Sequence, residues 1–140
     1  MRQILGALAL AGCALAATPV AADDLTGATK LLCTAVQATG CRMDGDCEID
    51  LPWNLNVPQF IEVDLAGRRL STTKASGENR ATPIEHLKRE KGTIVLQGYE
   101  GGRAFSFVIV EQTGMTSVAV AAEDRAVVVF GACTPMPGPR

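Results

Sequence analysis

The chain has 140 residues, with 13 basic and 15 acidic side chains, one histidine and a formal net charge of −2 at pH 7. This length supports one modest hydrophobic core and leaves no room for a second domain. The mild acidity and the aromatic content of 4% argue against nucleic acid as a partner, because phosphate contacts need a basic patch and bases need aromatic platforms.

The first 22 residues have the composition of a cleaved export signal. Arg2 provides the positive charge, residues 4–17 form an uncharged apolar run, and Val20-Ala21-Ala22 places small residues where a signal peptidase cuts. Cleavage after Ala22 leaves 118 of the 140 residues, with twelve basic and fifteen acidic side chains and a charge of −3. The apolar run is shorter than the roughly 20 residues that a membrane span needs. We therefore expect export to the bacterial periplasm and no transmembrane segment in the mature chain.

A second processing signal competes with this cut. Leu10-Ala11-Gly12-Cys13 has the form of a bacterial lipobox, whose cysteine is acylated and anchors the chain to a membrane. Because that reading leaves only twelve residues of signal, we favour cleavage after Ala22 and keep the lipid anchor at Cys13 as the alternative.

The four remaining cysteines predict two disulfides. Cys33, Cys41, Cys47 and Cys133 form an even set in a small exported domain, and three pairings are open to them. Cys41 and Cys47 flank a turn-forming Asp-Gly step, which favours a local bridge and leaves Cys33 for Cys133. Zinc binding is disfavoured because no Cys-x-x-Cys pair occurs and the single histidine, His86, is far along the chain.

The first element of the mature chain is predicted to be a short α-helix. Asp24 and Thr26 are candidate N-terminal capping residues, and Gly40 ends the pattern. Apolar residues recur between them at helical spacing, at Ala28, Leu31, Leu32, Ala35 and Val36.

The next stretch is acidic. Asp44, Asp46, Glu48 and Asp50 alternate, so an extended chain would place these carboxylates, which suit calcium, on one side. EF-hand spacing is absent, and Cys47, Ile49 and Leu51 alternate as the inward residues of a half-buried strand would. We interpret this stretch as a solvated acidic face and predict neither a metal nor a cofactor.

From Cys47 onward the apolar period is two, which indicates strands. The connections are too short for crossover helices, so neighbouring strands should form antiparallel hairpins. The sequence therefore predicts a mainly β domain over residues 23–133, a small lipocalin-like up-and-down barrel with a β-sandwich as the alternative. Residues 134–140 are a proline-rich tail. The eight predicted strands are 47–51, 60–65, 69–74, 83–89, 93–99, 103–111, 115–121 and 126–132.

Signals for catalysis are lacking in the sequence. There is no Gly-x-Ser-x-Gly motif, nothing around His86 marks it as a base, and the even cysteine count leaves no free thiol. We therefore predict that the protein is not an enzyme.

Two features are candidates for binding. Trp53 lies in a proline-bracketed link and would either line a ligand site or cover the core. The longest polar loop between strands is a candidate for partner contacts. Its residues are Ser76, Gly77, Glu78, Asn79 and Arg80.

The export signal, the disulfide-tied domain and the β meander together resemble the periplasmic inhibitors of C-type lysozyme. That resemblance implies a Ser-Gly-bearing loop that enters the enzyme's cleft, and Ser76-Gly77 is the stretch that matches. The family's loop continues to an aromatic residue, where this chain has Glu78, Asn79 and Arg80.

We expect a monomeric, non-catalytic periplasmic module that binds another protein or an envelope component. The alternatives are a lipocalin-like carrier of a small apolar ligand, which an eight-stranded barrel can enclose, and a lysozyme-inhibitor-like protein.

Overall fold

The computed structural model describes residues 23–137. The predicted export signal, its cut after Ala22 and the lipobox at Cys13 lie outside the described residues, as do residues 138–140 of the tail. The described chain contains ten strands and no α-helix. The strands are β1 Lys30–Arg42, β2 Cys47–Asp50, β3 Phe60–Asp64, β4 Arg69–Thr72, β5 Ala81–Pro83, β6 His86–Glu90, β7 Thr93–Glu100, β8 Arg103–Val110, β9 Met115–Ala121 and β10 Arg125–Pro135. Two 3₁₀ turns, Pro52–Leu55 and Lys74–Ser76, complete the elements.

All ten strands belong to one antiparallel sheet, which forms a half-barrel. Nine follow the path β5-β4-β3-β1-β10-β9-β8-β7-β6, and β2 pairs with β1 beside that path. The two ends of the path, β5 and β6, are separated along the chain only by Ile84 and Glu85. The Ile84 backbone N–H donates to the Arg68 carbonyl, and that of Glu85 to the Gln97 carbonyl, both at 2.9 Å. One bent segment therefore borders both ends of the sheet.

The sequence predicted the mainly β antiparallel class correctly, but several finer expectations were wrong. The structure shows a half-barrel rather than a two-sheet sandwich, because every strand of residues 23–137 belongs to one connected sheet. The strand order is not a simple meander, since β1 lies between β3 and β10. The predicted strand 83–89 is divided into β5 and β6, and β10 continues through Pro135. A proline is tolerated there because the pairing of β10 with β9 ends at Ala132, so its missing N–H removes no hydrogen bond to β9.

The predicted N-terminal helix is also wrong, because that segment is β1, the longest strand. Its ladder with β10 shifts register between Ala35 and Gln37, which leaves Val36 as an extra bulged residue. Leu31 and Cys33 are buried before this bulge, and Ala38 and Gly40 after it. A bulge changes which face alternate residues occupy. Buried residues therefore have odd numbers before the bulge and even numbers after it. This interrupts the period of two, and the apolar residues of β1 come to have the spacing typical of a helix.

The acidic stretch forms a shorter strand than predicted. Asp44 and Asp46 lie in the turn before β2, so the four carboxylates do not alternate along one strand. Ile49 is 72% exposed and Leu51 is 47% exposed, which contradicts the half-buried strand expected here. The reason is that β2 pairs only with β1 and has four residues.

The core fills the inside of the half-barrel. Leu31, Ile94, Leu96 and Ile109 are fully buried on its strands. Leu25, before β1, is also fully buried, and its backbone N–H donates to the Glu111 carbonyl at 2.8 Å. We call this end, formed by residues 23–29 and 111–114, the closed end. The opposite end, formed by residues 73–80, 100–103 and 52–58, is the open end.

Both predicted disulfides are present in the structure. Cys33 is bonded to Cys133 across the β1–β10 ladder, and Cys41 is bonded to Cys47 across the β1–β2 ladder. Such bridges form and persist in oxidising, extracytoplasmic compartments. Within residues 23–137, no helix has the length and apolar character needed to cross a membrane.

Candidate functional site

The open end contains a cavity that reaches into the half-barrel. Its volume is about 90 Å³, and Leu70, Val118 and Val129 are among its apolar walls. Phe105 and Phe107 also face it, because residues two apart on a strand share one side of the sheet. Their rings meet edge to face, with centroids 5.8 Å apart. The interior of the site is therefore apolar.

A network of charged side chains forms the rim of this cavity. The Arg80 guanidinium donates to both carboxylate oxygens of Glu100, from Nη2 at 2.6 Å and from Nε at 3.2 Å. Arg103 Nη2 donates to the same carboxylate at 3.3 Å, and its Nη1 donates to the Asn56 carbonyl at 3.0 Å. A bidentate arginine–carboxylate pair is geometrically specific. Three segments distant in sequence are thereby joined at the open end.

The hydrogen bonds of this network shift the pKa values of Arg80 and Glu100. Hydrogen bonds from Arg80 lower the pKa of Glu100 from its ordinary value, against the raising effect of partial burial. The pKa of Arg80 is raised, mainly by its hydrogen bond to Glu100. Glu78 contributes a weaker contact, with its Oε2 4.0 Å from Arg80 Nη1. Both shifts favour the charged forms of Arg80 and Glu100, which are paired with each other at the rim.

The predicted partner-binding loop lies directly beside this rim. Residues 74–79 are all exposed, whereas Arg80 is partly buried. The base of the loop is closed by the Arg80 N–H, which donates to the Thr72 hydroxyl, and by the Thr72 N–H, which donates to the Arg80 carbonyl, both at 3.0 Å. The Ser76 hydroxyl donates to the Thr73 carbonyl at 2.8 Å. The loop is held internally and is presented to solvent.

An adjoining cleft of about 230 Å³ lies on the other side of Arg103. Leu55, Val57 and Val127 provide apolar surface there, and Asp124 and Arg125 lie at its edge. The Arg103 side chain, which is fixed to Asn56, therefore separates two neighbouring depressions at the open end.

Trp53 is located on the Pro52–Leu55 turn and is 49% exposed. It is not among the residues that line the cavity or the cleft; Asn56 and Val57 from the same segment line both. Asn56 has a positive φ of 57°, a left-handed conformation that asparagine tolerates better than most residues.

The other polar candidates have local partners or lie at the surface. Asp50 Oδ1 accepts hydrogen bonds from the Leu51 N–H at 2.7 Å and from Asn54 Nδ2 at 2.8 Å. Glu48 pairs with Arg42 at 3.1 Å. Residues 23–137 contain no group of three or more side chains placed to hold a metal ion. His86 is exposed on β6.

The sequence did not single out Glu100 or Arg103 as site residues. Glu100 lies between the predicted strands 93–99 and 103–111, and Arg103 is the first residue of the second strand. Both lie at the ends of long hairpin strands, and Arg80 is twenty residues away from Glu100. Only the sheet path brings these side chains together, so no local pattern could have revealed the network.

Comparison with known proteins gives no relatives. No protein-family model, no curated protein and no solved structure matches the chain.

Proposed function

We propose that this protein is a non-catalytic binding module that engages another protein through its open end. The observation that carries the proposal is the Arg80–Glu100–Arg103 network, which fixes an exposed loop beside two depressions. Protein interfaces combine an apolar centre with a polar rim. The open end has this composition, and its charged side chains are already paired before a partner arrives.

The size of the depressions favours a protein partner over a small molecule. Ligand pockets usually measure roughly 300–1,000 Å³. The cavity is about 90 Å³ and the adjoining cleft is about 230 Å³, so both are smaller than that range. The cavity can accept an apolar side chain from a partner, while the exposed loop contacts the partner's surface.

The cellular location belongs to the same proposal. The two disulfides support export, and the proposed signal peptide, cut after Ala22, would deliver the domain to the periplasm. A lipid anchor at Cys13 would instead hold it at a membrane. In either case the partner would be a protein or another component of the envelope.

Two other functions are each supported by one feature of the open end. The apolar interior of the half-barrel would suit a carrier of a small apolar ligand, provided that the cavity widens on binding. The exposed Ser76-Gly77 step would suit an inhibitor of C-type lysozyme, although the Ser76 hydroxyl is engaged within its own loop.

A matched pair of charge reversals tests the proposal. Glu78→Arg changes the loop of the open end, and Glu90→Arg makes the same change on β6 near the closed end; both residues are partly exposed and lie in surface ion pairs. The wild-type protein, immobilised and exposed to periplasmic extract of its host, should retain a specific protein. Glu78→Arg should lose it and Glu90→Arg should keep it. Equal retention by both variants would refute binding at the open end.

The alternatives are separated by two further measurements. Native mass spectrometry of protein purified from its own host should show a bound small molecule if the protein is a carrier. Addition of the domain to a C-type lysozyme in stoichiometric amount should reduce lysis if it is an inhibitor. A clean protein mass and unchanged lysis would eliminate these two readings.

A further inference from the structure

The outer face of the sheet lacks charge across several neighbouring strands and is largely apolar, with a few uncharged polar residues such as Gln97, Ser106 and Ser117. No charged residue occurs in the consecutive segments 31–41, 93–99, 104–110, 115–121 and 126–134, which form most of β1, β7, β8, β9 and β10. Large apolar side chains on this face are exposed to solvent. They are Val36, Val108, Val110, Met115, Val128 and Phe130, and they range from 40% to 67% exposed.

Charged side chains border this face. Lys88 and Glu90 lie on β6, paired at 2.6 Å, and Arg125 lies with Asp124 where β10 begins. A continuous apolar surface with a polar border is typical of a protein interface, because monomers rarely expose such patches beyond a few hundred Å². Five strands about 4.8 Å apart and seven residues long cover roughly 550 Å².

Large and small side chains alternate across the β9–β10 ladder, which we call the central seam of the face. Phe130 on β10 pairs with Ser117 on β9, and Val128 pairs with Ala119. In the next pair whose side chains point outward, the large residue is on β9 instead of β10, because Met115 on β9 lies opposite Ala132 on β10. Each neighbouring pair therefore combines one projecting side chain with one small residue.

We propose that a second copy of this chain packs on this face around a two-fold axis close to the β9–β10 seam. Such an axis exchanges the two strands, so Phe130 of one copy meets the Ser117 position of the other. Val128 likewise meets Ala119, and Met115 meets Ala132. Projections then enter depressions, which is how inner faces of packed sheets interdigitate about 10 Å apart.

The area is at the lower limit for such a dimer. The outer face of a half-barrel is convex, so two faces of roughly 550 Å² bury at most about 1,100 Å² in total, compared with the 1,000 Å² or so expected of a biological interface. The self-complementary pattern favours a second copy over an unrelated protein, because a two-fold interface uses the same patch on both subunits. This proposal differs from the monomer expected in the sequence analysis. The open end is at the edge of this face and stays accessible in the dimer.

The test is sedimentation of the exported protein over a range of concentrations. The wild type should show a monomer–dimer equilibrium. Phe130→Arg places a charge at the centre of the face and should weaken the dimer at least thirty-fold, since hot-spot losses of about 2 kcal/mol or more are common. Met43→Arg alters another apolar residue, 85% exposed on the β1–β2 turn and outside the five strands of the face, and should leave the dimer unchanged.

An exchange of the central pair tests the two-fold geometry itself. Ser117→Phe and Phe130→Ser should each weaken the dimer, and the double variant should recover it, because large again meets small. This experiment remains informative if Phe130→Arg fails to fold. A monomer at all concentrations would overturn the proposal, as would a dimer insensitive to Phe130→Arg and to the exchange. Loss of an unrelated partner by Phe130→Arg in a monomeric protein would assign the face to that partner instead.

Discussion

The guanidinium of Arg89 donates a hydrogen bond to the carboxylate of Glu111 inside the closed end. Its Nη2 and Nη1 also donate to the backbone carbonyls of Leu25 and Ala28, each at 2.9 Å. Glu111 is only 8% exposed. This single side chain therefore neutralises a buried carboxylate and fastens the segment that closes the half-barrel.

Loss of Arg89 should destabilise the fold. In Arg89→Ala the Glu111 carboxylate is left buried without its partner, and removing one member of a buried pair costs up to 3–5 kcal/mol. Because Arg89 is partly exposed, we expect a loss of about 2 to 3 kcal/mol in the free energy of unfolding, measured in urea. Arg125→Ala removes an exposed pair with Asp124 and should cost less than about 1 kcal/mol. Equal losses would contradict a special role for Arg89.

The two disulfides should contribute unequally. Cys33 and Cys133 are 100 residues apart in sequence, whereas Cys41 and Cys47 are 6 apart. In the chain-entropy model, closing the longer loop stabilises by about 4 to 5 kcal/mol and the shorter one by about 2. Urea unfolding of Cys33→Ser/Cys133→Ser and Cys41→Ser/Cys47→Ser should show this order. The reverse order would mean that the long bridge does not constrain the unfolded chain.

A methyl group at Gly131 should be poorly tolerated. A Cβ atom there would lie 2.1 Å from the Thr34 carbonyl oxygen, which belongs to the backbone beside the β1 bulge and cannot move freely. We expect Gly131→Ala to destabilise by about 3 kcal/mol. Gly40→Ala is the control, because the nearest atoms to its Cβ would be the flexible end of Leu55 at 3.3 Å, and Val127 would be at an ordinary contact distance of 3.8 Å. If both variants lower the melting temperature by the same amount, the backbone at the bulge must be able to move away from the added methyl group.

The open-end network should make stability depend on pH. The folded pKa of Glu100 is lowered, so its charge stabilises the fold above its ordinary value near 4.5, and this contribution is lost as the pH falls through the lowered pKa. Glu100→Gln should therefore cost about 1 kcal/mol at pH 6. The difference from the wild type should shrink as the pH falls from 4.5 through the lowered pKa of Glu100. A difference that is independent of pH would show that the carboxylate charge is not involved.

The period-two pattern and the turn residues were sufficient to predict most strands from Phe60 onward. The even cysteine count predicted two disulfides, and the local Asp-Gly turn favoured, among three possible pairings, the one that the structure contains. These features depend on short stretches of sequence, in which alternation and turn chemistry determine the local structure.

The first strand and the site network could not be predicted in this way. One bulged residue, Val36, gives β1 the spacing of a helix, and only pairing with β3 and β10 establishes it as a strand. Ile49 lies at a position where the alternating pattern predicts an inward side chain, but no neighbouring element covers it and the side chain is exposed. Arg80 and Glu100 meet because the ends of the sheet path come together, and that is a property of the whole topology.

The Cys33–Cys133 bridge also determines how the domain responds to mechanical force. A pull applied at residues 23 and 137 is transmitted through this covalent bond and bypasses the 100-residue loop between the two cysteines. Only the short segments outside the bridge would extend under load. The open end, which is contained entirely within that loop, would keep its shape while the chain ends are stretched.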